Sequence, residues 1–588
     1  MKIKSSWKFF NGCQYKKFLK VGIISIIFLL LGAFFVPSLA QTTKQQVQQN
    51  TTTFDGLILF SPMYSTTTYL IDNTGWVIHT WSSTYFPGEV VRWLGNGTIL
   101  RSIKVNVPGW FGSGGGFQKI LLDGTITWDF RYHSNEVLSH HDIMPLPNGN
   151  VLLIAWENFS RTEAISAGRN PNTYHYNIVN ADHIIEVKQT GPTSGEIVWE
   201  WHVWDHLIQD YDSSKANYGV VGDHPELVDI NYAISSGGSE WMHTNSIDYN
   251  EELDQILISV RYFNEIWVID HSTTTAEAAG HTGGRSGKGG DLLYRWGNPA
   301  AYRAGNASNK KLFEQHDATW IDEGCPGAGN ILVFNNGINR PDGDYSSVDE
   351  FIPPVDENGK YYLVPGSAYG PIEQTWIYIS YPQSDFYSPR YSSAQRLSDG
   401  YTLICNGYKG KFFAVNPLGK TLWSYTNPYP MMGVNQVFKI IYIPLQEIPI
   451  EPHGSVLECS GSLSWTRIEP GATVTGSFQI RNIGNSSSQL KWRITDHSSW
   501  GTTWLFTPFY GENLSPADGQ VTVQVSVIAP DEKDTKFEGY IRVENMDNLN
   551  DFEEIPVSLT TPLSIQFLVV IFQRFPNALP LLRQMMGY

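Results

Sequence analysis

Cysteine is scarce: a chain of 588 residues holds four. Cys13 lies in the N-terminal segment, which leaves Cys325, Cys405 and Cys459. So few thiols exclude a disulfide-rich scaffold. Their spacing fits no zinc-ligand pattern, so neither a structural metal nor a cofactor is expected. An oxidising compartment allows one disulfide, and Cys325 and Cys405 are the pair within one domain. Charge is also sparse, at 16% of residues, with a net charge of −17. No Lys/Arg run follows residue 20, so nucleic acid is not an expected partner. What is plentiful is aromatic side chains, 13%, and 53 glycines. That balance favours short strands and tight turns over helices, an all-β chain.

The one long apolar run sits near the start. Lys2, Lys4, Lys8, Lys16, Lys17 and Lys20 precede Val21 to Val36, and Pro37-Ser38-Leu39-Ala40 follows. Residues 1–40 read as a secretory signal or an uncleaved N-terminal anchor, with 41–55 a linker. The bulk of the chain is expected to be exported to an extracellular, cell-surface or periplasm-like space. Six Asn-x-Ser/Thr sequons (Asn50, Asn96, Asn158, Asn306, Asn485 and Asn513) would permit glycosylation there.

From Gly56 to Pro444 a theme repeats. Six strands end in tryptophan: Trp81, Trp128, Trp199, Trp296, Trp376 and Trp423. Hairpin turns lie beside them, as in Pro147-Asn148-Gly149-Asn150 and Ser398-Asp399-Gly400, where Asn-Gly and Asp-Gly supply the positive φ that tight turns need. Units of this kind in series predict a six-bladed β-propeller over 56–444, with a long insertion from Arg161 to Glu240. Residues 445–456 read as a Pro-rich linker. Residues 457–561 alternate apolar and polar in short strands, the pattern of an immunoglobulin-like sandwich. Residues 562–588 form an amphipathic tail that either docks as a helix on the sandwich or attaches to a membrane surface. Oligomeric state is not legible.

Three histidines start similar strands: Ser139-His140-His141-Asp142, Met242-His243-Thr244-Asn245 and Gln315-His316-Asp317-Ala318. Each precedes an apolar strand by about a dozen residues. Blades around an axis would bring the three rings to one point. Arg261, at the end of the strand that follows His243, would add a guanidinium, and together they make an anion site. Neutral imidazoles serve as nucleophile or base, and protonated ones as acid. His140 competes with His141, and His141 is preferred because His141-Asp142 then matches His316-Asp317. Asp142 and Asp317 either orient the rings or cap turns. Trp199, Trp201 and Trp204 either line an aromatic pocket or pack the insertion. The remaining histidines read as surface or satisfied polar residues.

These stretches, with Tyr69-Leu70-Ile71-Asp72, Leu146-Pro147-Asn148-Gly149 and Ser393-Ala394-Gln395-Arg396-Leu397, resemble the arylsulfotransferase family, the PAPS-independent aryl-sulfate sulfotransferases. The resemblance covers about two-thirds of the chain. It implies a propeller with its site at the axial pore, a phenolic sulfate donor, a phenol acceptor, and ping-pong chemistry through a sulfohistidine. Carried across, His316 would be the nucleophile. His141, His243 and Arg261 would bind sulfuryl oxygens and protonate the departing phenolate, with Ser392 or Ser393 an extra contact. Members of this type carry an N-terminal sandwich, whereas here the sandwich follows the repeats, so donor preference and dimerisation are not carried over. Other classes remain open from the residues alone: a tri-histidine metalloenzyme, which Arg261 opposes; a secreted binding propeller without turnover; and hydrolysis, with water as acceptor.

Overall fold

Turn chemistry sets the rhythm of the chain. At Leu146–Asn150 and Leu397–Tyr401 the flanking backbones close hydrogen bonds of 2.9 and 2.8 Å, and Gly149 and Gly400 both sit at φ 85°. A side chain there would be strained, so these positions need glycine. Between such turns the computed structural model places strands almost throughout. It describes residues 56–108, 110, 114–232, 239–447, 455–484 and 488–562. The signal or anchor, the helical tail beyond residue 562 and most of the linker lie outside the described residues.

Six four-stranded antiparallel sheets follow one another from residue 57 to 443. The second runs Pro87–Trp93, Ile99–Lys104, Gly115–Ile120 and Ile126–Arg131. The third runs Val137–Pro145, Val151–Ser160, Ile178–Gln189 and Gly195–His202. The fourth runs Thr244–Asn250, Gln255–Val260, Glu265–Asp270 and Tyr294–Trp296. The fifth runs His316–Trp320, Ile331–Asn335, Ser347–Phe351 and Trp376–Tyr378, and the sixth Ser393–Arg396, Thr402–Asn406, Lys411–Val415 and Thr421–Thr426. The first sheet is composite. Leu57–Pro62, Thr67–Ile71 and Val77–Ser82 are joined by the late strand Val437–Ile443, which pairs antiparallel with Leu57–Pro62.

The leading strand of each sheet contacts that of the next, and Val437–Ile443 touches both Ser393–Arg396 and Pro87–Trp93. The inner strands therefore close a ring, sealed by the two ends of the region. Closure leaves no inner edge for another chain to pair with. The six tryptophans named from the sequence all fall on the fourth strands, and every one except Trp376 is buried. Several tie neighbouring sheets: the Trp296 indole donates to Pro371 O at 2.8 Å, that of Trp376 to Pro417 O at 2.9 Å and that of Trp423 to Asn73 O at 2.5 Å. Trp199 donates to Thr273 Oγ1 and Trp201 to Gly290 O, while Trp204 stacks on Phe159. Trp199 and Trp201 thus tie the third sheet to the fourth and Trp204 packs on the third, rather than lining an aromatic pocket. The expected insertion from Arg161 to Glu240 is not continuous, because Ile178–Gln189 and Gly195–His202 are strands of the third sheet.

The expected Cys325–Cys405 disulfide is not formed. Cys325 Sγ lies against Arg396 O, whereas Cys405 is buried mid-strand in the sixth sheet with Sγ against Val437 O. They sit in different apolar clusters. Shared domain membership says nothing about the Cα spacing a disulfide demands.

Residues 457–560 form two sheets, one of four strands and one of five. Thr473–Asn482 alternates buried and exposed positions, so one face is apolar. Phe478, Ile480, Trp492, Val523, Ile541 and Val557 share one buried core. Among the described residues no helix is long and apolar enough to cross a membrane.

Candidate active site

The inner strands are irregular where they begin. Register slips between Ser139 and Ile143, between Thr244 and Ser246, and between His316 and Thr319. His141 at φ 52°, His243 at 56° and Asp317 at 52° take the left-handed conformation, as does Glu89 near the start of the second sheet's inner strand, at 111°. Such bulges re-aim side chains and recur beside functional sites. Here they turn the rings out of the sheet alternation. The equivalence read from sequence is therefore offset by one: at His316 the left-handed residue is the next one.

The structure brings His141, His243, His316 and Arg261 together. The His141 and His243 ring centres are 4.6 Å apart, and those of His243 and His316 6.5 Å. Phe438, on the strand that closes the ring, lies 5.9 Å from His141 and 5.8 Å from His316. Arg261 Nη1 is 3.3 Å from His243 Nε2, and its Nη2 donates to Glu314 Oε2 at 2.6 Å. Arg261 Nε is buried and has no hydrogen-bond partner in the protein. His140 stacks on Trp156 at 3.9 Å, behind His141 rather than beside His243.

Polar groups behind the rings orient them, and at His316 they fix the tautomer. Asn336 Nδ2 donates to the carbonyls of Ser388 and Tyr391, which fixes the amide and turns Oδ1 to His316 Nδ1 at 2.8 Å. Nδ1 of His316 therefore carries the proton, and Nε2 keeps its lone pair. His243 Nδ1 faces Glu240 Oε1 at 2.7 Å, so His243 Nε2 is the acceptor for Arg261. His140 Nδ1 and His141 Nδ1 share a hydrogen bond at 2.8 Å, with a carboxylate beyond each ring: Asp182 is 3.4 Å from His140 Nε2 and Glu89 is 3.6 Å from His141 Nε2. At His316 and His243, Nδ1 is turned to a supporting group and Nε2 is the basic atom. Burial holds the His316 pKa well below the ordinary histidine value, with Arg261 and His243 adding to the effect against Asn336 and the Glu314 carbonyl. Burial does the same to His141, reinforced by its neighbours His243, His140, His316 and Arg261. Both rings are neutral near pH 7.

One step further along the inner strands the polar groups serve the ring itself. Asp142 takes Arg92 Nη2 on both oxygens at 2.8 Å and the Ile247 N–H of the next sheet at 3.3 Å. Asp317 takes Lys439 Nζ at 2.5 Å and the Ala394 N–H of the next sheet at 3.0 Å. The hydrogen bonds of Asp142 and Asp317 thus go to cations and neighbouring strands, not to imidazoles. Ser393 does likewise, its Oγ accepting from Ile440 N at 3.2 Å, and Ser392 Oγ accepts from Gly407 N at 2.9 Å.

Glu89, Glu240, Glu314 and Asn336 went unnoticed in the sequence. Glu240 stands three residues before His243, the one spacing that would have marked it. Glu314 stands two before His316, Asn336 follows the strand that pairs with His316–Trp320, and only Glu89 arrives from another sheet. Tyr262, 5.1 Å from His243, also joins the site, its phenol pushed up to about 12 by burial and by Glu240.

This arrangement suits attack by a neutral, oriented imidazole on an electrophile whose oxygens Arg261 can hold. The comparisons with known proteins agree in kind. Arylsulfate sulfotransferase AssT of Escherichia coli O6:H1 is 25% identical over 294 residues, covering 45% of this chain and 44% of that protein. The chain thus spans less than half the length of that relative. Among solved structures, a protein of unknown function from Bacteroides caccae aligns with 66% of this chain and 99% of its own, at 13% identity and TM-score 0.34. The calcium-binding protein regucalcin of Agrobacterium tumefaciens aligns with 60% of this chain and 83% of its own, at 10% identity and TM-score 0.26. Likenesses this shallow do not bear on the chemistry. The arylsulfotransferase (ASST) family model, however, matches residues 42–427, well over half the sequence, and the chain belongs to that family.

Proposed function

We propose that the closed ring is a six-bladed β-propeller, followed by an immunoglobulin-like sandwich, and that the propeller moves a sulfuryl group from a phenolic sulfate to a phenol through His316. The observation that carries this reading is the convergence of three imidazoles from three successive sheets beside one guanidinium, with His316 Nε2 left basic.

His316 Nε2 attacks sulfur in line, the S–O bond to the phenol breaks, and an N-sulfo imidazole forms. His316 Nδ1–H, held by Asn336, stays in place, so the attacking nitrogen cannot tautomerise away. Negative charge spreads over the three equatorial oxygens, as in phosphoryl transfer, and Arg261 Nη1 and Nε are the donors that answer it. Glu314 holds the guanidinium by its other end. In the second half-reaction an incoming phenol loses its proton to His141 or His243 Nε2 and attacks the sulfo group, and the same proton serves the departing phenolate of the next donor. Glu240 behind His243 supports the transient imidazolium. No nucleotide takes part, which suits an exported enzyme. A guanidinium 3.3 Å from His243 disfavours a cation at the same point, which weighs against the tri-histidine metal reading.

The test is release of 4-nitrophenol from 4-nitrophenyl sulfate, with and without added phenol, by the wild type and by His316→Asn. Phenol-stimulated release that the variant lacks, with a mass increase of one sulfo group on the peptide containing His316, is the expected result. Release indifferent to phenol would make the protein a hydrolase. Retention of the sulfo group on another histidine would remove His316 from its role.

A further inference from the structure

A second histidine cluster lies away from the imidazole trio, between the end of the third sheet and a glycine-rich stretch of the fourth. His206 and Asp291 are buried, and His281 is exposed. His206 Nδ1 lies 2.8 Å from Asp291 Oδ1, and His281 Nδ1 lies 2.7 Å from the same oxygen. The other face of His206 is fixed, because Nε2 sits 2.9 Å from Ala278 O. A carbonyl can only accept, so Nε2 carries the proton and a neutral His206 presents its Nδ1 lone pair to a carboxylate oxygen. Two lone pairs at 2.8 Å repel unless something positive lies between them. An imidazole N–H held by a backbone carbonyl, with its other nitrogen turned toward a carboxylate and a second imidazole, is also how protein metal ligands are oriented.

The local chain is built around this contact. Gly290 passes so close that a Cβ there would fall 2.6 Å from His206 Nε2 and 2.0 Å from Ala278 O. Trp201 stacks on the His206 ring with centres 5.7 Å apart, and its indole donates to Gly290 O. The His206 and His281 rings are nearly perpendicular, so their nitrogens can meet at one point. A comparable group, Glu157, His183 and His202, is less apt: its two rings stack in parallel, and Tyr132 already occupies His183 Nε2.

We propose that His206 Nδ1, His281 Nδ1 and Asp291 Oδ1 bind a divalent transition-metal ion of the zinc class. Two imidazoles and one carboxylate are a borderline N/O donor set that suits zinc, with a fourth position open to solvent beside exposed His281. The ion would join the Val203–His206 turn, just past the third sheet, to the stretch that leads into Tyr294–Trp296. His206 and Asp291 stand 85 residues apart, beyond any spacing motif.

The experiment uses full-length protein stripped with a chelator. Zinc chloride is titrated calorimetrically, and cobalt chloride in parallel for the visible bands of a low-symmetry N/O site. One equivalent is expected to bind at micromolar concentration or tighter and to raise Tm. Affinity should fall by at least about 100-fold in His281→Ala, whose exposed ring can be removed without disturbing the fold, and should be unchanged in His202→Ala and His243→Ala. Unchanged affinity in His281→Ala, loss confined to His202→Ala or His243→Ala, or no binding below millimolar zinc would each overturn the proposal. In the last case a proton on His206 fills the gap.

Discussion

Two layers of buried polar groups lie along the same inner strands, and they are built on opposite terms. In the layer where the strands begin, His243 and His316 direct Nδ1 to a supporting group and keep Nε2 basic, His141 sits between His140 and Glu89, and Arg261 keeps Nε unpaired. In the next layer, Arg92 and Lys439 are held by Asp142 and Asp317, and those carboxylates also take backbone N–H groups of the following sheet. A buried ion pair adds little net stability over apolar packing, yet breaking one leaves a charge stranded. The second layer is a lock that holds the inner strands in register. The first is what the lock holds open for chemistry.

Adjacent residues give the sharpest way to break this contrast. His316→Asn should lower sulfuryl transfer by about 10³-fold or more, because no covalent intermediate can form, while leaving Tm within a few degrees. Asp317→Ala strands Lys439 and frees the Ala394 N–H, and should cost about 3–5 kcal/mol of stability by denaturant titration. If the two variants lost activity and stability in the same proportion, the division into layers would be wrong. Arg261→Lys comes next. It keeps the charge but not the planar fork, and kcat/KM should fall by roughly 10²-fold with the melting curve unmoved.

The chain announces much of this and hides the rest for a physical reason. Tryptophans at the ends of fourth strands and Asn-Gly and Asp-Gly turns are local signals, and they mark the repeats without any knowledge of packing. The His141-Asp142 and His316-Asp317 pairs are also local, but what each Asp does is not. Asp142 meets Arg92 across 50 residues, and Asp317 meets Lys439, so their role as latches appears only once the ring closes. Ser393 reads as a contact for the substrate, yet its hydroxyl is taken by Ile440 N, on a strand that belongs to the first sheet. The Cys325–Cys405 pairing fails for the same reason: proximity in three dimensions was inferred from shared membership of a domain.

Asp248 tests the lock from its weak side. It is half-buried beside the same cations, yet desolvation outweighs Arg92 and Lys439 and raises its pKa to about 7. A carboxyl whose folded pKa exceeds its unfolded value of 3.8 contributes stability that is fully present below that value and lost as pH rises through about 7. Asp248→Asn keeps an oxygen for the Trp320 N–H, which Asp248 Oδ2 now accepts at 2.8 Å. The variant should be more stable than wild type at pH 8, by about 1–3 kcal/mol, and the gain should shrink as pH falls and vanish only below about pH 4. A gain that did not change with pH would mean that packing, not charge, had been altered.

His140 offers the smallest and most discriminating effect. Its contact with the proposed site is the Nδ1–Nδ1 hydrogen bond to His141. It is therefore a positioning residue. His140→Phe keeps a ring to stack on Trp156 but removes the hydrogen-bond partner of His141 Nδ1, so the His141 ring is held less well. Transfer should fall by about tenfold. The pH profile separates this from a packing defect. In the wild type, kcat/KM should decline only well below pH 6.5, because His141 and His316 stay neutral until protons overcome their depressed pKa values. His140 is one of the groups that depress His141. Its removal should let the acid limb move to higher pH, whereas Asp248→Asn should leave the limb where it is. A tenfold loss with an unmoved acid limb would mean that His140 serves the fold alone, and that the chemical layer ends at His141.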